Sequence, residues 1–449
     1  MTEATQDELA EGGFRRSKDR CHLISCVPVI DISGQCNLYS LGFTSGRLFM
    51  PDALRERHIH HVLTGYMIRR DVSLFVGSGN SAMLRLPLAN SLLEYLDRIP
   101  AGRLVIYLQK GEEPTVSSQH LLRTLNHLNV RFAIDIDELL TTAWRYCTNC
   151  ISYVVLNIQD EHFEENIVLF RQYVASAPWL RLIVRGFENG MDIARAGKAG
   201  TDLCMSNLIY PELGAILKEE SQNSPHLLVM VQALLKSRPD IEMLTALTGS
   251  HPGMVRDFYT GVRYICSRSG VAASISSVEE AVQHLGAGVV ASTFAVCVVR
   301  HICDRCERVT PEGTHVNYAR VLLRASLVRA FFLFYMSRHA GRNPKTQSLS
   351  FVTGLFSLLR EQSRLNGIPV AEDERLYGGH SEESAWNLQL LTAMEGFELP
   401  RLTLVAEASF DTGQPLGVLL KCYEKALMRG DDVYALLLRQ REYHAAAVV

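Results

Sequence analysis

The chain has no long apolar run, no excess of positive charge and no apolar leader, and each shortage removes a class of function. No stretch of the 449 residues offers about 18 or more uninterrupted apolar residues. The nearest, Val321 to Met336, is broken by Arg324 and Arg329, so no membrane span is expected. The formal net charge of −3 gives no non-specific attraction to nucleic acid or to an anionic membrane. No basic recognition helix is visible either, so nucleic acid is not an expected partner. The opening MTEATQDELAEGGFRRSKDR is acidic and then basic, without the apolar centre of a secretory signal, and residues 1–20 read as a disordered lead-in. No G-x-S-x-G elbow or Ser-His-Asp constellation stands out. GSGN at Gly77 to Asn80 lacks both the lysine and the third glycine of a phosphate loop, and reads as a βα turn after the strand VSLFVG.

What is present describes a globular chain: 47% hydrophobic and 21% charged residues, at a length that suits two or three domains. Eleven cysteines cannot all pair, and several lie in apolar runs such as FAVCVV around Cys297 and ISCVPV around Cys26. A thiol there acts as a small hydrophobe, so a reduced, cytoplasmic protein is expected. CTNC at Cys147 to Cys150 and CDRC at Cys303 to Cys306 have zinc-ligand spacing. They fall in different predicted domains, and structural thiols are the simpler reading. HIHH at His58 to His61 lies among charged neighbours in RERHIHHVLTGYMIRR and reads as a solvated helix face. No cofactor or metal is expected, and a zinc or redox switch is the minor reading.

From about Cys21 to Pro211, β-rich runs alternate with helical patterns: LISCVPVID, VSLFVG, LVIYLQ, RFAID, YVVLNI, RLIVRGF and DLCMS. The starts Leu104, Arg131, Tyr153, Arg181 and Asp202 are 27, 22, 28 and 21 residues apart, the length of one strand plus one helix. Parallel strands need such crossovers. The segment Ser117 to Asn129 carries Leu121, Leu122, Leu125 and Leu128 at helical spacing. Seven or so units of this kind favour a barrel or a doubly wound sheet. At EESQNSP, Glu219 to Pro225, the sequence turns polar and the strand signal ends, which places a domain boundary there. Helical patterns follow, including IEMLTALTG, SSVEEAVQHLG, GVVASTFAVCVVRHI, YARVLLRASLVRAFFLFYMS and FVTGLFSLLREQ, with two more near LLKCYEKALMRG and DDVYALLLRQ. Ser277 and Glu280 have capping-box spacing, and Gly286 stands where a C-terminal cap belongs.

Several of these runs carry a family likeness. VPVID, FAIDID, YVVLNI and LIVRGFENGMDIARAGKAGTDLCMS, in that order, resemble an EAL domain, the barrel that hydrolyses cyclic di-GMP. ISSVEEAVQHLG, followed some seventy residues later by FVTGLFSLL, resembles an HDOD domain, a non-catalytic relative of the HD phosphohydrolases. The resemblance implies an α/β plus all-α protein: a degenerate EAL-type TIM-like (β/α) barrel over 21–215 and a helical HDOD bundle over 220–449.

The EAL reaction uses a water held between two divalent metals, which need several oxygen ligands at the carboxyl ends of the strands. The resemblance puts those ligand positions on Ser40, Tyr107, Asp135, Ile136, Val155, Asn157, Arg185, Glu188 and Met205. Only Asp135 and Glu188 remain as carboxylates, and Arg185 adds a positive charge. The HD positions fall at about Ala325 and on Ser357 and Leu358, none of them a metal ligand. Both sites are therefore expected to be inactive.

The resemblance further implies a signalling protein acting on protein partners in second-messenger, motility or biofilm control, with a homodimer as one arrangement. Cyclic di-GMP is not an expected ligand, because Tyr107 and Ile136 would narrow and dry the pocket. The alternative is a sensor that binds that nucleotide or a related one without hydrolysing it.

Overall fold

The computed structural model describes residues 21–31, 36–45, 76, 80–86, 88, 93, 101–108, 114–141, 143–187, 190–206, 229–231, 233–234, 239–270, 275–305, 307–309, 315–365, 390–391 and 415–447. The chain divides into two compact units, one ending at Ile209 and the other running from Tyr210. The lead-in, HIHH, Cys306 and Glu188 lie outside the described residues.

Eight strands close the first unit into a barrel in sequence order. They are β1 (Cys21–Asp31), β2 (Cys36–Ser45), β3 (Ser81–Leu86), β4 (Leu104–Leu108), β5 (Arg131–Asp135), β6 (Ile151–Asn157), β7 (Arg181–Arg185) and β8 (Leu203–Met205). Strands β2 to β8 run parallel, while β1 is antiparallel to both of its neighbours, β2 and β8. This decides the open choice between barrel and doubly wound sheet, and it corrects the expectation of uniformly parallel strands. A short β1–β2 connection is possible only between antiparallel strands, and four residues separate Asp31 from Cys36.

NLYSLGF, which carries Ser40, lies in strand β2. One further expectation in this unit is corrected. The strand before the second crossover is SAMLRL rather than VSLFVG, whose one described residue, Val76, is helical. Asn80 therefore precedes a strand instead of closing a βα turn. Its side-chain amide donates to the Val76 carbonyl at 2.7 Å and its own carbonyl accepts from Arg103 at 2.7 Å.

The crossovers include α1 (Val116–His127), the single turn α2 (Ile136–Leu139), α3 (Phe163–Ser176) and α4 (Gly190–Ala199). Thr115 caps α1 by accepting from the Ser118 amide. Leu121, Leu122 and Leu125 are buried, but Leu128 is 48% exposed, because the helix ends just before it.

Alternate residues of each strand fill the barrel: Val29, Leu38, Met83, Val105, Tyr107, Ala133, Tyr153, Val155, Ile183 and Leu203 form one buried cluster with Met205 against it. At the amino ends Arg131 closes the floor, donating to the Tyr153 hydroxyl and to Ser81 Oγ at 2.7 Å each. The carboxyl ends form the face on which barrels carry their sites.

The second unit contains α5 (Ile241–Gly249), α6 (Pro252–Arg268), α7 (Val278–Leu285), α8 (Ala287–Arg305), α9 (Tyr318–His339), α10 (Pro344–Leu365) and α11 (Pro415–Ala447). The two helices expected near the C-terminus are one helix of 33 residues, α11. Helix α6 and the small antiparallel pair β9 (Glu307–Val309) and β10 (His315–Asn317) were not foreseen. Strands thus do recur after Pro225. The capping box is present: Ser277 accepts from the Glu280 amide at 3.2 Å, while the Glu280 carboxylate accepts from the Ser276 amide at 2.7 Å. Gly286 closes α7 at φ +83°.

Among the described residues one segment, Ala287–Asp304 of α8, is long and apolar enough to cross a membrane by composition. It is 61% buried inside the fold, and its Arg300 pairs with Asp257 of α6 at 2.9 Å.

Candidate functional site

The inward face of the barrel can be followed to its carboxyl end by counting in twos. From Leu38, Met83, Val105, Ala133, Val155, Ile183 and Leu203 in the core, the next residues on the same face are Ser40, Arg85, Tyr107, Asp135, Asn157, Arg185 and Met205. Pairing sets Arg85 beside Tyr107, Asn157 beside Arg185 and Arg185 beside Met205. Each position assigned by resemblance to a ligand, other than Ile136 and Glu188, is thus brought to the interior face. Ile136 lies one residue beyond Asp135 and is buried at the start of α2.

Four of these side chains form one cluster. The Tyr107 hydroxyl donates to Asp135 Oδ1 at 2.6 Å, and Arg85 donates to Oδ2 at 3.3 Å. An Arg185 guanidinium nitrogen lies 3.8 Å from Oδ1. The Arg85 guanidinium also covers the Tyr107 ring, 4.8 Å from its centroid. Asp135 has the backbone of a helix cap, but its side chain makes no capping bond; the carboxylate is turned inward to the cluster instead. Burial, and then the Asp135 charge, push the Tyr107 phenol well above its ordinary value of 10. It therefore remains a donor. Arg85 was missed in the sequence, although it stands two residues after the inward Met83 on a strand that was placed too early.

Asn157 takes a structural part. Its carboxamide oxygen accepts from the Gln159 amide at 3.1 Å. A Cβ on Gly186, whose φ is +84°, would come 2.0 Å from that oxygen, so only glycine fits after β7.

A pair of divalent metals does not fit this donor set. Among the described residues Asp135 is the only inward carboxylate at the carboxyl end of a parallel strand, and both of its oxygens are engaged by cations or a phenol. A dication on Asp135 would lie within about 6 Å of two guanidinium groups, each opposing it by roughly 5 kcal/mol at an effective dielectric near 20. No other group of three or more His, Cys, Asp or Glu able to hold a metal occurs among the described residues. Cys147 and Cys150 are buried in a 3₁₀ turn, and burial raises both thiols away from the thiolate form that zinc requires. Cys303 is buried in the last turns of α8.

In the helical unit, the positions assigned by resemblance to HD ligands can also be placed. Ser357 and Leu358 are buried on α10, and Ser357 Oγ accepts from Arg329 of α9 at 3.2 Å while donating to the Gly354 carbonyl at 2.6 Å. Arg329 stands one helical turn after Ala325. An arginine thus reaches the serine that occupies the expected histidine position. Every residue from Phe351 to Leu358 is buried, so this segment of α10 is packed on all sides. Gly354 permits a close approach of α10 to α9: a Cβ there would lie 2.6 Å from the Arg329 carbonyl oxygen. A largely apolar cavity of about 500 Å³ lies between the starts of α8 and α10, lined by Leu234, Leu285, Ala291 and Val352 among others.

No family model and no curated protein matches the chain. Solved structures similar to its barrel part include the PaMucR phosphodiesterase in complex with c-di-GMP, at 13% identity and a TM-score of 0.36, covering 42% of this chain and 94% of that one. An EAL domain protein from Listeria monocytogenes EGD-e matches at 14% identity and a TM-score of 0.34, covering 42% and 86%. The Xanthomonas citri FimX EAL domain with c-diGMP matches at 12% and 0.33, covering 42% and 87%. At these scores the likeness carries no assignment, and the closed barrel stands on its own strand pairing.

Proposed function

We propose that this chain is a regulatory protein that hydrolyses no phosphodiester: a degenerate EAL-type barrel joined to an HDOD-type helical domain, acting through binding to a protein partner in cyclic di-GMP-linked control. The observation that supports this reading is the Asp135 cluster. A carboxylate held by Tyr107, Arg85 and Arg185 has neither the free oxygens nor the negative surroundings that two divalent ions need. In the helical domain Arg329 and Ser357 take the corresponding place. Both cores keep their packing while their sites carry cations in place of cation ligands. The apolar cavity between α8 and α10 gives the helical domain a surface suited to an apolar group of a partner.

Calorimetric titration of Mn²⁺ into the metal-stripped chain tests the reading. No stoichiometric binding is expected. Two ions bound per chain, lost on Asp135→Asn, would overturn it.

A second reading, a nucleotide sensor, is favoured by the second guanidinium beside Asp135 at the barrel mouth. It predicts that cyclic di-GMP raises the melting temperature in the presence of a chelator; no shift at high ligand concentration would remove it.

A further inference from the structure

Arg185 is the least satisfied group in the cluster. Its guanidinium carries five donors, yet among the described residues it makes no hydrogen bond, and its nearest approach to Asp135 is 3.8 Å. Its Nε is shielded from solvent and has no acceptor among the described residues. An unmatched buried donor on a charged group is costly, and Arg185 is not needed to balance Asp135, which Arg85 already engages. Among the described residues, two guanidinium groups against one carboxylate leave the cluster with one positive charge in excess.

The two arginines also have the placement of a binding pair. They come from β3 and β7, on either side of β5, and both face inward at the carboxyl ends of the strands. Both remain partly open, with side chains 44% and 37% exposed. Donors arriving from two sides suit a tetrahedral anion, with oxygens in several directions, better than a planar carboxylate.

We propose that Arg185 and Arg85 form a metal-free site for a phosphate-class oxyanion at the mouth of the barrel. The anion accepts from the unused donors of Arg185 on one side and of Arg85 on the other. Asp135 and Tyr107 hold the Arg85 side in place. The positive charge that opposes a metal there is thus what recruits the phosphoryl group. This inference rests on the reading that the metal site is lost.

The test uses the full-length chain in a chelator, titrated calorimetrically with inorganic phosphate, with dimethyl phosphate and with acetate. Saturable binding of inorganic phosphate is expected, with acetate weaker. Arg185→Gln should weaken it by roughly tenfold or more, while Arg185→Lys retains part of it. A melting curve checks that each variant folds. If Arg185→Gln does not fold, Arg85→Gln, on a different strand, is expected to show the same loss. Binding of dimethyl phosphate as well assigns the site to phosphodiesters, and binding of inorganic phosphate alone assigns it to free phosphate and monoesters. No saturable phosphate binding, or equal affinity in the folded variants and the parent, would overturn the proposal. That failure leaves the non-hydrolytic reading standing, whereas metal-dependent hydrolysis removes that reading whatever the phosphate titration shows.

Discussion

Tyr107 shows how much one hydroxyl does at the barrel mouth. It donates at 2.6 Å to a carboxylate that is almost fully enclosed, so Tyr107→Phe removes a charge-assisted bond without leaving a cavity. The expected cost is about 1–3 kcal/mol, seen as a melting temperature lower by several degrees. The sign of its pH dependence follows from its raised phenol pKa. The folded state holds this proton more tightly than the unfolded chain, so the contribution is full below the ordinary phenol value of 10 and is lost as pH rises beyond it. The parent should therefore lose stability in alkali more steeply than the Tyr107→Phe variant, and equal alkaline slopes would show that the phenol is not held. The sequence resemblance singled out Tyr107, Asp135 and Arg185, and the structure brings these three side chains together. Their mutual contacts were not legible in the sequence, because a hydrogen bond between β4 and β5 depends on register, and Arg85 was hidden by a misplaced strand.

At the scale of elements, helix α10 carries the clearest test. Gly354→Ala would drive a methyl group into the backbone of α9, 2.6 Å from the Arg329 carbonyl oxygen and 2.9 Å from the Ala330 Cα. Overpacking against backbone is expected to cost about 3 kcal/mol. Gly197→Ala in α4, where a Cβ meets nothing within 4 Å, should instead stabilise by about 0.5–1 kcal/mol. Denaturant midpoints of the two variants should therefore move in opposite directions. At α7, the Ser276 amide and hydroxyl hold the exposed Glu280 carboxylate below its ordinary value. That contribution is present above the ordinary carboxylate range and is lost as pH falls through the lowered pKa. Ser277→Ala should cost about 1 kcal/mol through the lost cap, measured by thermal melting at neutral pH.

These helix signals were readable because caps and close-approach glycines act within a few residues. The antiparallel β1 and the fusion of two patterns into α11 were not. The first depends on a pairing across the whole barrel, and in the second Gly430 reads as a break although it is the small residue that lets α11 pass close to Val328.

On the scale of the whole molecule, the proposed reading is that each unit has an arginine where phosphohydrolase chemistry would need a metal: Arg185, 3.8 Å from Asp135 in the barrel, and Arg329, bonded to Ser357 in the helical unit. Composition gave no net positive charge, but it carried no sign of these arginine contacts, which depend on pairing and packing between elements distant in sequence. The account predicts a protein that binds and does not turn over. Incubation of the purified chain with cyclic di-GMP and Mg²⁺ or Mn²⁺, followed by separation of cyclic and linear nucleotides, tests this most directly. The prediction is no linear product above a metal-free control; metal-dependent product formation abolished by Asp135→Asn would contradict it.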